Sequence, residues 1–215
     1  MPRWWRPASI WLLYAVGFVP AAWYFWLGAT GRIPGNAIKE FEHLLGIWAL
    51  RFLLATLAVT PLRDLAGLNL VRYRRALGLL AFWYVAMHFL TYMVLDQALN
   101  GSAILTDIAR RPFITIGMAA LLMLIPLALT SNSWSIRRLG SRWNKLHKLA
   151  YLIVLAGALH FAMSVKVITL EPAIYATLAV LLVGYRPLRP YVMDWRRRRK
   201  QGAAAAPVAQ RAAGR

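Results

Sequence analysis

The chain has 215 residues, of which 60% are hydrophobic, no cysteine, and a formal net charge of +19. A soluble domain of this length does not contain several separate apolar runs of about 20 residues, so the composition predicts a polytopic membrane protein. The absence of cysteine excludes disulfides, c-type haem attachment, and zinc or iron–sulfur sites built from thiolates. We attribute the positive charge to cytoplasmic loops and to contact with membrane lipid, and we expect no binding of nucleic acid.

The first half of the chain predicts three membrane helices. Two arginines precede an apolar run over 9–27, which is too long for a signal peptide, so we interpret it as an uncleaved first helix that Pro20 kinks. A loop rich in glycine and proline follows, and the second helix covers about 41–59 and ends before Pro61. After a basic loop, the third helix covers about 76–95.

The second half predicts three more helices. A polar loop over 96–111 leads to a fourth helix at about 113–130, and a basic loop over 131–145 follows. The fifth helix comes next and ends near Lys166. A shorter sixth helix covers about 171–185.

Lysine and arginine are distributed unevenly between the two sides of such a bundle. Twenty lie on the side of the two termini and five on the opposite side, which predicts that both termini are cytoplasmic. We therefore predict an all-α integral membrane protein, a bundle of six transmembrane helices with N-in/C-in topology. Residues 1–186 form the membrane domain, and residues 187–215 form a basic cytoplasmic tail that we expect to be disordered.

Two histidines are predicted at matching depth on helices that enter the membrane from the same side. His88 lies about 12 Å below the outer boundary near Asp96, and His160 lies about 9 Å below it near Lys166. An imidazole inside the membrane needs a partner, and axial ligation of haem iron is a frequent one. One haem bound by both imidazoles has no open position, so it moves electrons and does not activate a substrate. The alternative is a pair of core histidines that hydrogen-bond to neighbouring helices.

The other two histidines are predicted nearer the membrane surfaces. His147 precedes His160 by thirteen residues, close to the cytoplasmic end of the fifth helix, and the third helix offers no histidine to face it. It could ligate a second haem with an unusual partner, bind a flavin or quinone headgroup, or lie in the wet interface. His43, at the outer end of the second helix, could touch the haem edge or a partner protein, or lie at the surface.

Several arginines also suggest binding roles. Arg51 is predicted about 12 Å inside the second helix, where a charge needs a counter-ion. A haem propionate, Glu42 and a lipid phosphate are all possible partners. Arg74 and Arg75 in the second basic segment favour a phosphate-bearing cofactor, although anionic lipid explains them equally well.

Several long strings in this sequence resemble the MsrQ/YedZ family of ferric-reductase-like transmembrane proteins. They are ALRFLLATLAVTPLRDL (49–65), RRALGLLAFWYVAMHFLTY (74–92), RRPFITIGM (110–118), LTSN and RRLGSRWNKLHKLAYL (within 129–152), and ALHFAMSVK (158–166). The resemblance extends over about residues 9–186 and includes these strings in the same order.

The resemblance implies six transmembrane helices, b-type haem and an associated FMN in a bacterial inner membrane. It implies electron transfer from the quinone pool or a cytosolic flavin reductase to a periplasmic molybdopterin-dependent catalytic subunit, which reduces methionine sulfoxide in oxidised proteins. The family's haem-ligand histidines fall on His88, His147 and His160. Wider ferric reductases usually carry two histidines on each of two helices, whereas this chain carries two on one helix and one on the other.

Under this interpretation the chain is an electron-transfer subunit, and the substrate-reducing centre lies on a partner. One alternative is the membrane core of a ferric or oxygen reductase, for which a partner would supply the nucleotide-binding domain, because the chain has no G-x-G-x-x-G motif after a strand. Another is a non-redox transporter or assembly factor whose histidines bind metal or protons.

Overall fold

The computed structural model describes the backbone of residues 5–167 and 169–213 and the side chains of residues 8–167, 169–199 and 201. In this part of the chain the regular elements are helical. The α-helices are α1 (Trp5–Ala29), α2 (Ala37–Ala66), α3 (Arg74–Leu90), α4 (Gly101–Arg110), α5 (Pro112–Leu129), α6 (Ser133–Leu139), α7 (Ser141–Leu146), α8 (Leu149–Ser164) and α9 (Leu170–Ala213). A short 3₁₀ turn (Val71–Tyr73) precedes α3, and a π-helical segment (Thr91–Asp96) extends it.

Five segments of the described chain are long and apolar enough to cross a membrane. They are Ala8–Ala29, Ala37–Ala66, Val71–Asp96, Pro112–Leu129 and Ser141–Ser164. The predicted all-α, multi-pass membrane architecture is therefore confirmed. Helix α9 is not among the five, so the count of six spans and the N-in/C-in topology remain predictions. Helix α9 also continues past residue 187, where the sequence analysis placed the start of the tail, and that division of the chain remains a prediction.

The predicted topology has a direct test in reporter fusions. Fusions at Gly35 and Gly101 should report a periplasmic location, and fusions at Leu68 and after Lys200 a cytoplasmic one, because the basic segments stay inside. A cytoplasmic signal at Gly101 would contradict the predicted topology.

Helix α2 is the centre of the bundle. It packs against α1, α3, α8 and α9, and α5 packs mainly against α8. The side chains of Leu45 and Leu57 on α2, Leu80 on α3 and Ile153 on α8 are almost completely buried between these helices. The two helix pairs α2–α3 and α5–α8 therefore meet around a common apolar core.

Two segments that the sequence analysis interpreted as loops contain helices. Residues 96–111 include α4, whose first turn is capped by Asn100 through its side-chain oxygen and the Ala103 amide. Residues 131–145 include α6 and most of α7, and Asn132 caps α6 in the same way. An asparagine before a helical run is an N-cap signal that the composition-based interpretation did not use.

The predicted end of the second helix at Pro61 is wrong, because α2 continues to Ala66. A proline has no amide hydrogen, so it leaves the carbonyl four residues earlier without its helical donor. Here that carbonyl belongs to Leu57, and the Arg186 guanidinium of α9 donates to it at 3.0 Å. Arg186 also donates to the Thr60 hydroxyl at 2.8 Å and lies over the Tyr151 ring. A side chain from another helix therefore satisfies the carbonyl that Pro61 leaves free.

This contact predicts a compensating pair of substitutions. Arg186→Met leaves the Leu57 carbonyl without a donor, and we expect it to lower the free energy of unfolding by about 1–3 kcal/mol. Adding Pro61→Ala supplies an amide donor to the same carbonyl, so the double variant should regain part of the loss. Thermal unfolding in detergent measures both. If Pro61→Ala has the same effect with and without Arg186, the two residues do not share this carbonyl.

Tyr84 of α3 fixes α1 against the bundle. Its hydroxyl donates to the Gly17 carbonyl at 2.7 Å and accepts from the Ala21 amide at 3.3 Å. It thus joins two groups that pair directly in an undisturbed helix, in the turn that contains Pro20. The α-helix continues through Pro20. Because Tyr84 precedes His88 by one helical turn, this contact also helps to fix the rotation of α3.

Candidate functional site

A cavity of about 450 Å³ lies between the α2–α3 and α5–α8 pairs. This volume is in the range of cofactor sites. Most of the lining is apolar, and it includes Leu50, Leu53, Phe89, Leu124 and Ile153. Imidazoles from three helices join this lining. They belong to His43, His88 and His160.

The two histidines predicted at equal depth face each other across this cavity. The ring centroids of His88 and His160 are 6.1 Å apart, and the ring planes are nearly perpendicular at 87°. Two imidazoles on opposite sides of one metal ion, with metal–nitrogen bonds of about 2 Å, have centroids about 6 Å apart. The observed separation therefore fits a single iron between the rings.

Backbone carbonyls hold both rings in one tautomer. His88 Nδ1 lies 2.8 Å from the Glu42 carbonyl oxygen, and His160 Nδ1 lies 2.6 Å from the Phe113 carbonyl oxygen. A carbonyl only accepts, so each Nδ1 carries the hydrogen and donates it. Each Nε2 then keeps its lone pair, and in the described part of the chain neither Nε2 has a hydrogen-bond partner. This is the arrangement that metal-binding histidines require.

Charged side chains surround one mouth of the cavity, near the starts of α2 and α5. Lys39 bridges Glu42 and Asp96 at 3.2 and 2.7 Å, and Arg111 pairs with Asp107 at 3.2 Å. Lys39, Glu42 and Arg111 also line the cavity itself. The carboxylates of an acidic cofactor could therefore find cationic partners at the mouth. The sequence analysis did not name Lys39 or Arg111 for this role.

Arg51 and His43 have different relations to the cavity. Arg51 does not line it; its guanidinium donates to the Tyr175 hydroxyl at 2.7 Å and lies 3.8 Å from a Glu171 carboxylate oxygen. The hydrogen-bond and ion-pair partners of Arg51 in the described chain are thus on α9, and its guanidinium also lies over the Trp48 ring of its own helix. His43 lines both the main cavity and a smaller one of about 180 Å³, which Arg51 also lines.

His147 lies outside the cavity, at the two-residue turn between α7 and α8, within the same Ser141–Ser164 segment as His160. Its Nε2 is 3.1 Å from the Thr130 hydroxyl, and the Trp143 ring stacks on it with centroids 3.8 Å apart. Arg74 is close enough to interact electrostatically with both His147 and Arg186. Arg75 is exposed. The structure therefore separates His147 and the two arginines from the facing pair of imidazoles.

The two halves of the site repeat one arrangement. His88 reaches a carbonyl 46 residues earlier on α2, and His160 reaches one 47 residues earlier on α5. Phenylalanine follows the histidine in both halves, and glycine lies four residues after each carbonyl residue. The sequence alone does not make this repeat evident. The histidine, the phenylalanine after it and the glycine recur, but most of the residues between them differ in the two halves.

An all-helical membrane bundle with two facing imidazoles whose Nε2 atoms have no partner in the described chain has the arrangement of membrane proteins that bind haem between helices. The family described as ferric reductase like transmembrane component matches residues 45–158 of the chain. This match includes His88 and His147, and His160 lies just beyond it. No solved structure is significantly similar to the chain.

Curated relatives of the chain identify one family within this class of membrane proteins. A protein of Rhizobium meliloti (strain 1021) named protein-methionine-sulfoxide reductase heme-binding subunit MsrQ is 68% identical over 204 residues, which are 95% of this chain and 93% of the relative. A protein of the same name from Brucella ovis is 63% identical over 189 residues, 87% of this chain and 86% of the relative. The chain therefore belongs to the MsrQ family of ferric-reductase-like transmembrane proteins, and the predicted resemblance is confirmed.

Proposed function

We propose that this chain is the haem-binding, electron-transferring membrane subunit of a methionine-sulfoxide reductase system. The pair His88 and His160 carries the proposal: two imidazoles with centroids 6.1 Å apart, each held by a carbonyl through Nδ1, face an apolar cavity. The names of the MsrQ relatives support haem as the ligand and methionine-sulfoxide reduction as the destination of the electrons.

Different residues of the cavity would bind the iron, orient the histidine rings, pair with the haem carboxylates and exclude water. His88 and His160 would hold the iron from two sides, and the carbonyls of Glu42 and Phe113 keep both Nε2 atoms available. Haem b, when bound, supplies one-electron transfer between the ferric and ferrous states of its iron. Lys39 and Arg111 at the mouth would pair with propionates. The apolar lining excludes water and so favours electron transfer over reaction with solvent.

The position of the cavity suggests the direction of transfer. Its charged mouth is at the start of α2 and of α5, the ends that face the periplasm in the predicted topology. Reduction of one methionine sulfoxide to methionine consumes two electrons and two protons and releases one water. Two one-electron transfers through the site to a periplasmic molybdopterin-dependent subunit would supply the electrons. The protein would lie in the bacterial inner membrane.

Electron entry is proposed at the opposite, basic end. Arg74 there is close enough to interact electrostatically with both His147 and Arg186. His147 could serve a second haem or a flavin at this end, and Arg74 and Arg75 could bind the phosphate of FMN. A quinol or a cytosolic flavin reductase would be the donor.

A visible spectrum of the purified chain, followed by reoxidation, tests the proposal. Dithionite should produce the reduced spectrum of a six-coordinate b-type haem, with one such haem at the His88–His160 site. Adding the molybdopterin subunit and a peptide that contains methionine sulfoxide should reoxidise it. A chain without haem would refute the proposal and support the transporter alternative.

A second candidate function is the core of a ferric reductase, which the family description favours. The same experiment separates the two. Rapid reoxidation by chelated ferric iron, with none by the molybdopterin subunit and sulfoxide peptide, would favour the ferric reductase.

A further inference from the structure

A glycine lies directly beneath each of the two facing imidazoles. An alanine Cβ at Gly117 of α5 would be 2.8 Å from His160 Nδ1 and 2.9 Å from its Cε1. At Gly46 of α2 it would be 3.3 Å from both Nδ1 and Cε1 of His88. Carbon atoms at optimal contact are about 3.5–4.0 Å apart, so the first contact is impossible without movement and the second is tight.

Helix geometry explains why glycine occupies these two positions. In an α-helix each Cβ is tilted toward the N-terminus, so the side chain of residue i+4 lies over the turn that contains the carbonyl of residue i. The accepting carbonyls are those of Glu42 and Phe113, and Gly46 and Gly117 each follow four residues later. A ring that approaches such a carbonyl from outside the helix takes up the space where the Cβ of residue i+4 would lie. Glycine has no Cβ, so the ring can occupy that space.

We propose that Gly46 and Gly117 are positioning residues for the two haem-ligand histidines. Without a Cβ, each allows its histidine to donate Nδ1–H to the carbonyl, and this bond directs Nε2 to the iron. The two sides differ: the His160 side has no room for a methyl group, and the His88 side has little. This inference rests on the proposed function, because it assigns the glycines to ligands of the haem in that site.

The test compares three alanine variants of the full chain. Gly117→Ala and Gly46→Ala fill the two volumes, and Gly78→Ala on α3 is the matched control, because a Cβ there would meet no atom within 4 Å. Alanine favours helix over glycine by about 1 kcal/mol, so loss of helix stability would not explain a defect. The measurements are the low-spin fraction of the oxidised haem and the carbon monoxide bound per reduced haem.

We expect Gly117→Ala to reduce the low-spin fraction by about tenfold and to raise carbon monoxide binding above that of the wild type, because displacement of His160 opens one axial position. Gly46→Ala should cause a smaller fall of about two- to threefold. Gly78→Ala should match the wild type. Moving the hydrogen of His160 from Nδ1 to Nε2 would not relieve this clash, because the added methyl group is close to both Nδ1 and Cε1 of the ring.

Wild-type spectrum and carbon monoxide binding in Gly117→Ala would overturn the inference while leaving the proposed function intact. If Gly117→Ala does not accumulate, Gly46→Ala decides, and an unchanged low-spin fraction and midpoint potential in that variant would overturn it. A wild-type chain without low-spin haem would instead refute the proposed function. Equal loss of low-spin haem in all three variants would also refute the inference, because the control glycine touches neither histidine.

Discussion

Replacing either His88 or His160 by alanine is expected to abolish the six-coordinate low-spin spectrum of the haem between α3 and α8. Each variant removes one of the two rings that lie 6.1 Å apart, and no other imidazole of the described chain faces the remaining ring in the same way. If the proposed function is right, electron delivery to the catalytic subunit should then stop, and cells should lose methionine-sulfoxide repair through this system. Spectra of the purified variants and a repair assay in cells measure the two effects.

His147→Ala is the internal comparison for these variants. Its ring is held by Thr130 and Trp143 away from the cavity, so its loss should alter electron entry or a cofactor at the basic end and leave the haem of His88 and His160 bound. If His147→Ala removes that haem while His88→Ala retains it, the assignment of the ligand pair is wrong.

Asp64→Ala is expected to destabilise the protein at the basic end, where α9 joins α2. The Asp64 side chain is only 4% exposed and accepts from Arg63 at 3.2 Å, from the Tyr185 hydroxyl at 3.3 Å, and from Arg189. These contacts join the end of α2 to α9. Because Arg63 and Arg189 are 40% and 41% exposed, solvent relieves their charges, and we expect a loss of about 1–3 kcal/mol, below that of a fully buried pair.

Asp194→Ala on α9 removes the same charge from an exposed pair with Arg198, and it should change stability by less than about 0.5 kcal/mol. The two variants are compared by their melting temperatures in detergent and by how readily a protease cleaves α9 beyond Tyr185. Equal effects of the two substitutions would show that Asp64 does not fasten α9 to α2.

The facing histidines could be predicted because depth in a membrane follows from counting residues along helices. His88 and His160 were placed at similar depth from their distances to polar ends, and the structure brings their rings together. The same counting placed His147 near one end of the span that holds His160; the structure puts it early in the Ser141–Ser164 segment, at a two-residue turn between α7 and α8.

Contacts between distant helices could not be predicted from local sequence. Pro61 is a local signal for a helix end, yet α2 continues to the left-handed Gly67, and Arg186, more than a hundred residues later, donates to the carbonyl that Pro61 leaves free. Arg51 was expected to pair with a haem propionate, Glu42 or a lipid phosphate, whereas in the structure it contacts Glu171 and Tyr175 of α9. Sequence alone shows that such a group needs a partner, whereas packing decides which partner it has.

The ferric electron paramagnetic resonance spectrum of the purified wild-type chain tests the central claim most directly. Two imidazoles on one iron produce a low-spin signal, and nearly perpendicular ring planes make that signal strongly anisotropic. With His88 and His160 as ligands and their planes at 87°, we expect such a signal, and we expect it to vanish in His160→Ala. A wild-type spectrum with haem present and no low-spin signal would contradict the claim that these two histidines share one iron.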